Sequence, residues 1–141
     1  MKTIATVGGI GYFPVAPGTA GSVVGLVIAW ILSGSVIQQW IGCAVALALG
    51  LWSAGPTARA MAQPDPAPVV IDEVCGMMLA VVALPVTWAA YLTAFALFRL
   101  LDVAKPWPIR RLERFPGSWG ILLDDVAAGL ATNLLIRFLR L

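Results

Sequence analysis

The chain has 141 residues, of which 60% are hydrophobic and only 11% are charged, against about 25% charged residues in an ordinary soluble domain. This composition excludes a disordered chain, a coiled coil and a nucleic-acid-binding module, each of which needs many more charges. A domain of this size buries only about two-thirds of its surface. With a mean hydropathy of +0.92, part of its apolar surface is therefore expected to lie in membrane lipid.

Two further counts restrict the chemistry. The chain contains no histidine, which excludes Ser-His triads, phosphotransfer to histidine and zinc sites with imidazole ligands. The two cysteines, Cys43 and Cys75, lie far apart in apolar surroundings and are interpreted as small buried hydrophobic residues.

The charged residues are confined to a few segments. No charge occurs between Lys2 and Arg59, and residues 74–98 and 126–136 are also neutral. Five of the nine cations lie between Arg99 and Arg114. By the positive-inside tendency this segment should face the cytoplasm, so we expect a multi-pass membrane protein with its site on the cytoplasmic face.

The elements are predicted to be helical throughout. The Gly- and Pro-rich opening is interpreted as a structured loop and not as a signal peptide, and it leads into a helix over 19–33 with Gly18 or Thr19 as its cap. A helix over 36–61 is long enough to cross a bilayer of about 30 Å, and a loop follows at 63–68. The remaining helices are predicted at 69–83, 86–103, 109–114 and about 119–140, with a rigid break at 105–108.

This pattern predicts an all-α fold, namely a compact membrane-embedded helical bundle with short, broken helices. No internal repeat or linker divides the chain, so residues 1–141 are predicted to form a single domain. The six tryptophans, several of them near predicted helix ends, suit anchoring at the membrane interface, although packing alone could also explain them.

Acidic residues in these apolar helices are the candidate functional groups. Asp72-Glu73 and Asp124-Asp125 form adjacent pairs near the starts of apolar helices, and Asp102 closes another helix. Insertion of one charged side chain at the centre of a membrane helix costs about 2.5–3.5 kcal/mol. Interaction with a helix dipole or a structural ion pair could account for any one of them. Together, oxygen ligands without His or Cys point to Mg²⁺ or Mn²⁺.

The positions of these acids make a geometric prediction. A single straight helix over 74–98 would be about 37 Å long and would leave Asp72 and Asp102 on opposite sides of the membrane. We therefore predict that the chain reverses near Leu84-Pro85. The reversal would allow Asp72, Asp102 and Asp124 to share one pocket. Because Asp124 and Asp125 have no cation at i+3 or i+4, a positive partner is expected from elsewhere.

Cations and a glycine-rich turn are candidates for binding phosphate. Arg99 and Lys105 bracket Asp102 and are the preferred candidates, and Arg110 belongs to the same cationic rim. Arg111 and Arg114 fit an ordinary topogenic cluster. The turn containing Thr19 and Ser22 could present backbone N–H groups to phosphate. It lacks the G-K-[ST] of a P-loop, so a plain capped turn is the alternative.

Four segments together closely resemble the phosphatidylglycerophosphatase A family. They are FPVAPGTAGS (13–22), VVIDEV (69–74), FRLLDVAKPWPIR (98–110) and GILLDDVAAG (120–129). The resemblance implies an Mg²⁺-dependent, membrane-embedded helical enzyme of the bacterial inner membrane. This enzyme converts phosphatidylglycerophosphate to phosphatidylglycerol, which also feeds cardiolipin synthesis. Relatives can carry histidine or glycine in the loop before the Asp-Glu pair, where this chain has Pro64-Asp65-Pro66-Ala67-Pro68.

Residues and resemblance together support one hypothesis of mechanism. Asp72, Glu73, Asp124 and Asp102 are expected to hold Mg²⁺, and Glu73 or Asp125 to position the attacking water. The candidates for phosphate contacts are Arg99, Lys105, Arg110, Thr19 and Ser22. A phosphoenzyme is not expected, because the chain lacks C-x5-R, D-x-D and histidine.

Two other readings stay open at this stage. A CDP-alcohol phosphotransferase also uses aspartates and Mg²⁺, although its D-G-x2-A-R beginning is absent here. A small transporter or assembly subunit could instead use the acids as an ion pathway. The sequence leaves the number of membrane crossings, the number of metal ions, the acyl-chain preference and the oligomeric state undetermined.

Overall fold

A computed structural model describes residues 1–139, and this range contains helices and no strand, which confirms the all-α prediction. Short 3₁₀ segments occur at Ile10–Tyr12, Leu32–Gly34 and Ile109–Arg114. The α-helices are α1 (Lys2–Ala5), α2 (Pro17–Ile31), α3 (Val36–Ala60), α4 (Ile71–Val81), α5 (Trp88–Ala104) and α6 (Ser118–Leu139).

Three segments within residues 1–139 are long and apolar enough to cross a membrane, namely Pro17–Gly34, α3 and α6. This supports the prediction of a membrane protein. By contrast, α4 has 11 residues and is only about 16 Å long. It therefore ends inside a bilayer whose hydrocarbon core is about 30 Å thick.

Helix α4 lies at the centre of the bundle, and ten of its residues are buried. It packs against α2, α3, α5 and α6. Small residues allow these close contacts, because a Cβ atom added to Gly129 of α6 would overlap the backbone of Gly76 in α4. In a membrane the hydrophobic effect does not drive helices together, and glycines at helix contacts allow the close backbone packing that does.

The chain reverses between α4 and α5, as predicted from Leu84-Pro85. Helix α4 ends at Val81 and α5 begins at Trp88, with the Thr87 hydroxyl accepting a hydrogen bond from the Ala90 amide at 3.2 Å. In the turn, the Ala83 amide donates to the side chain of Gln39 in α3 at 2.6 Å. The reversal returns the end of α5 to the side of the membrane on which α4 begins.

The sequence prediction was wrong about the start of the first long helix. Helix α2 begins at Pro17, and its N-cap is Ala16 with φ 51° and no side-chain cap bond, so neither Gly18 nor Thr19 is the cap. Proline suits this position because the first helical N–H has no partner in any case. The opening also contains α1 and a 3₁₀ turn, and 109–114 is a 3₁₀ segment. Residue 140 of the predicted last helix lies outside the described residues.

The tryptophans lie at the two ends of the bundle. Trp30, Trp40 and Trp88 are exposed at the end where α2 meets α3 and α5 begins. Trp52, Trp107 and Trp119 are exposed towards the opposite end, where α4 and α6 begin. Along α3, however, Trp40 and Trp52 are separated by only about 18 Å, less than a hydrocarbon core of about 30 Å, so anchoring at both membrane interfaces stays a prediction.

Candidate active site

Four helix ends meet at one end of the bundle and bring the predicted acids together. They are the starts of α2, α4 and α6 and the end of α5. The Glu73 carboxylate and the Arg99 guanidinium both lie against Gly18, where an added Cβ would clash with Glu73 and come within 3.2 Å of Arg99. The missing side chain of Gly18 therefore leaves room for both groups at the start of α2.

Three carboxylates form a compact group at this junction. Asp72, Glu73 and Asp125 each offer one oxygen, and these oxygens all lie within 4.8 Å of one another. Asp72 and Asp125 are only 6% and 2% exposed. Each of the three residues also has a buried oxygen without a hydrogen-bond partner among the described residues. Buried like charges repel, and an unpaired buried charge is costly, so this group fits a bound cation.

Asp124 has a different environment from its neighbour Asp125. Lys105 Nζ donates to Asp124 Oδ2 at 2.6 Å and to Glu113 Oε1 at 2.5 Å. Burial lowers the pKa of Lys105, but the hydrogen bonds and charges of Asp124 and Glu113 outweigh it and raise that pKa above its ordinary value. Lys105 is thus the positive partner that the sequence required for the Asp124-Asp125 pair.

The geometry therefore favours Asp125, in place of the predicted Asp124, as the third member of a metal-binding group. Adjacent residues on an α-helix point about 100° apart, and the sequence does not show which of the two faces α4. The assignment of Asp124 as a metal ligand stays a prediction.

Asp102 pairs with Arg99 beside the group of three carboxylates. It forms an ion pair with Arg99 one turn earlier in α5, is 8% exposed, and its carboxyl group lies near that of Asp125. It lies outside the group of three potential ligands. This position suits the orientation of Arg99 better than the metal contact predicted from the sequence.

The remaining candidates lie at the periphery of this site. Arg110 is exposed on the 3₁₀ segment, and Arg111 stacks over Trp107 at 5.5 Å. Thr19 is half-buried beside Gly18. Ser22 is fully buried, and its hydroxyl donates to the Gly18 carbonyl at 2.9 Å, so the geometry does not favour the phosphate contact predicted for Ser22.

Comparisons with known proteins agree on one family. A protein of Bacteroides thetaiotaomicron with the provisional name phosphatidylinositol-3-phosphatase is 36% identical over 97% of this chain and 91% of its own length. Phosphatidylglycerophosphatase A of Escherichia coli K12 is 35% identical over 93% of this chain and 78% of its own. The enzyme of the same name from Haemophilus influenzae is 36% identical, with coverages of 86% and 77%.

No solved structure shows significant similarity to this chain. The family model described as phosphatidylglycerophosphatase A matches residues 3–140. This range includes the three carboxylates, Arg99 and Lys105. The chain therefore belongs to the phosphatidylglycerophosphatase A family.

Proposed function

We propose that this chain hydrolyses the phosphate monoester of phosphatidylglycerophosphate to phosphatidylglycerol and phosphate. Family membership supports the reaction. The observation that carries it to particular residues is the convergence of Asp72, Glu73 and Asp125 oxygens within 4.8 Å. A lipid whose acyl chains stay in the bilayer can present its terminal phosphate to this group at the end of the bundle.

The donor set of this group suits Mg²⁺. Asp72, Glu73 and Asp125 would hold the ion through oxygen ligands, as hard cations prefer. When bound, Mg²⁺ supplies neutralisation of phosphoryl oxygens and lowers the pKa of water. The unpartnered buried oxygens of all three residues support this proposal, because an ion would satisfy them.

The side chains of the site would perform a direct hydrolysis. The water oxygen bonds to phosphorus while the bond between phosphorus and the glycerol oxygen breaks. Glu73 or Asp125 takes a proton from the attacking water, and the departing alkoxide takes a proton from a second water molecule to leave as the glycerol hydroxyl. Arg99, oriented by its ion pair with Asp102, stabilises the phosphoryl oxygens in the transition state. Lys105, which already binds Asp124, supplies a second positive charge.

The proposed location is the inner membrane of a bacterium, with the carboxylate group on the cytoplasmic side. The support is the position of Lys105 and the three arginines of the 3₁₀ segment, which lie at the same end of the bundle as the carboxylates. By the positive-inside tendency, such a cluster stays in the cytoplasm.

Release of phosphate from phosphatidylglycerophosphate by the purified protein tests this function. We expect release to depend on Mg²⁺ and to stop with chelator. Asp72→Asn should lower the rate at least about 100-fold, since even outer-shell partners of a metal contribute about 10–100-fold. Asp65→Asn is the comparison variant, because Asp65 is an exposed acid in the loop before α4 that acts on Asp72 only through its charge, and it should lower the rate much less. Equal rates for the two variants would contradict the assignment of Asp72.

Two further substrates separate the alternatives in the same assay. Phosphatidylinositol 3-phosphate tests the activity named for the Bacteroides relative, and CDP-diacylglycerol tests a phosphotransferase. Faster turnover of either one than of phosphatidylglycerophosphate would contradict the proposed substrate. Ion flux across sealed vesicles without any phosphate release would instead favour a transporter.

A further inference from the structure

Helices α2 and α5 lie side by side from the carboxylate group into the bilayer, and their line of contact is called the seam here. The two helices run in opposite directions and both pack on α4. At the head of the seam, Gly18 of α2 lies against Arg99 of α5. Eight residues further along each helix, Leu26 and Tyr91 line one common cavity. Eight residues of α-helix correspond to about 12 Å, so the cavity lies about 12 Å below the site.

This seam cavity has the size and depth expected for part of an acyl chain. Its volume is about 500 Å³, and it extends to Trp30 and Trp88, about 18 Å below Gly18 at 1.5 Å per residue. One leaflet of hydrocarbon is about 15 Å thick, half of a core of about 30 Å. Val27 and Leu92 on its two sides are 49% and 59% exposed, so a lipid chain can enter from the side.

A larger cavity of about 650 Å³ lies between α1, α3 and α4 and the end of α2, where Ile28 lines it. On α4 it is lined by Ile71, Val74 and Met78, which form one helical face at the 3–4 residue spacing. Asp72 and Glu73 point about 100° and 200° around the helix from Ile71. Helix α4 therefore separates this second cavity from the carboxylate group.

We propose that the seam between α2 and α5 binds an acyl chain of the lipid monophosphate substrate, and this inference rests on the proposed function. Glu73 and Arg99 at the head of the seam meet the phosphate end, and the cavity lined by Leu26, Val27, Trp30, Trp88, Tyr91 and Leu92 receives the distal part of the chain. The seam thereby makes turnover depend on chain length.

Matched tryptophan substitutions in the two cavities test this inference. Val27 lines the seam cavity and Val45 lines the second cavity, and their exposures are similar, 49% and 52%. The measurement is kcat/KM for phosphatidylglycerophosphate with 16-carbon chains relative to 8-carbon chains. Val27→Trp should lower this ratio about ten-fold, which corresponds to the loss of about two buried methylene groups. Val45→Trp should leave the ratio unchanged.

The outcomes separate this inference from the proposed function. A wild-type protein that releases no phosphate at either chain length contradicts the proposed function. An active wild type with the same ratio in Val27→Trp, or an equal fall in Val45→Trp, overturns the seam as the acyl site. If light scattering finds a dimer for wild type and a monomer for Val27→Trp, with an unchanged ratio, a second copy of the chain occupies the seam and the inference is overturned.

Two additional measurements test the inference if the Val27→Trp protein does not fold. Leu92→Ala enlarges the seam cavity and should shift the preference towards longer chains. A lipid monophosphate with a diazirine near the chain end should crosslink wild-type protein at residues 26–30 or 88–92, located by mass spectrometry. Crosslinks confined to residues 41–49 would overturn the inference even without turnover.

Discussion

The side-chain amide of Asn133 in α6 donates to the carbonyl oxygen of Val82 at 2.9 Å, where α4 ends inside the bilayer. The same amide lies within 3.2 Å of the Leu79 and Ala80 carbonyl oxygens. The last carbonyls of a helix have no partner within it, and the hydrocarbon core offers no water to replace one. Arg137 Nε donates to Asn133 Oδ1 at 2.7 Å and holds the amide in this orientation. Asn133 thereby permits α4 to end within the membrane.

Replacement of Asn133 with leucine should destabilise the protein by about 1–3 kcal/mol. The Leu79 and Ala80 carbonyls lose this donor, whereas the Val82 carbonyl still accepts from Arg137 at 3.2 Å. The measurement is thermal unfolding in detergent micelles. Leu134→Ala is the control on the lipid-facing side of the same helix, where the side chain is 67% exposed. A melting temperature of Asn133→Leu equal to that of the control would contradict the capping role.

Gly129→Ala tests the close contact between α4 and α6. In an open helix this substitution stabilises by about 1 kcal/mol through helix propensity. Here the added Cβ would overlap the Gly76 carbonyl, and forced overpacking costs about 1–3 kcal/mol. We therefore expect net destabilisation and a lower rate of phosphate release, because α4 carries Asp72. Gly34→Ala is the control, since its Cβ would meet only the Gln38 side chain at 3.3 Å. A melting temperature above wild type for Gly129→Ala would show that the helices separate freely.

Sequence patterns predicted the parts of this fold that depend on local chemistry. Proline at 85 and the distribution of acids predicted the reversal between α4 and α5, and the neutral blocks predicted the long helices. The Lys105–Asp124 pair joins residues 19 positions apart on different elements, so no local spacing could identify it. The choice between Asp124 and Asp125 depended on the rotation of α6 against α4. Asn133 did carry a signal, because it is an amide within the neutral segment 126–136.

Substitution of Asp124 and of Asp125 should have different effects on the rise in melting temperature caused by Mg²⁺. Wild-type protein should gain about 2.7 kcal/mol of stability at 100 times the dissociation constant, read as a rise in melting temperature. Asp125→Asn should abolish this rise, and it should stabilise the metal-free protein by removing repulsion from Asp72 and Glu73. Asp124→Asn should keep the rise but destabilise the metal-free protein, because Lys105 loses a buried partner. Loss of the Mg²⁺ response in Asp124→Asn alone would show that Asp124 holds the ion.

Lys105→Met tests whether Lys105 only neutralises Asp124 or also acts on the phosphate. Its removal leaves the Asp124 side chain, 4% exposed, without a partner and should cost about 3 kcal/mol. The double variant Lys105→Met, Asp124→Asn removes both charges and should recover most of that loss. Its rate of phosphate release should nevertheless stay at least about 100-fold below wild type, the effect expected when one group that stabilises developing charge is lost.

Comparison of stability with activity in this series gives the decisive result. Arg111→Met is the control for loss of a nearby cation, since Arg111 is exposed and stacks on Trp107, and it should change both properties little. Lys105→Arg keeps the charge and should retain stability. Its rate of phosphate release should fall, because a planar guanidinium fits a single-point contact with phosphate less well than an ammonium group. A double variant that is stable and fully active would assign Lys105 to structure alone, and the phosphate would then depend on Arg99.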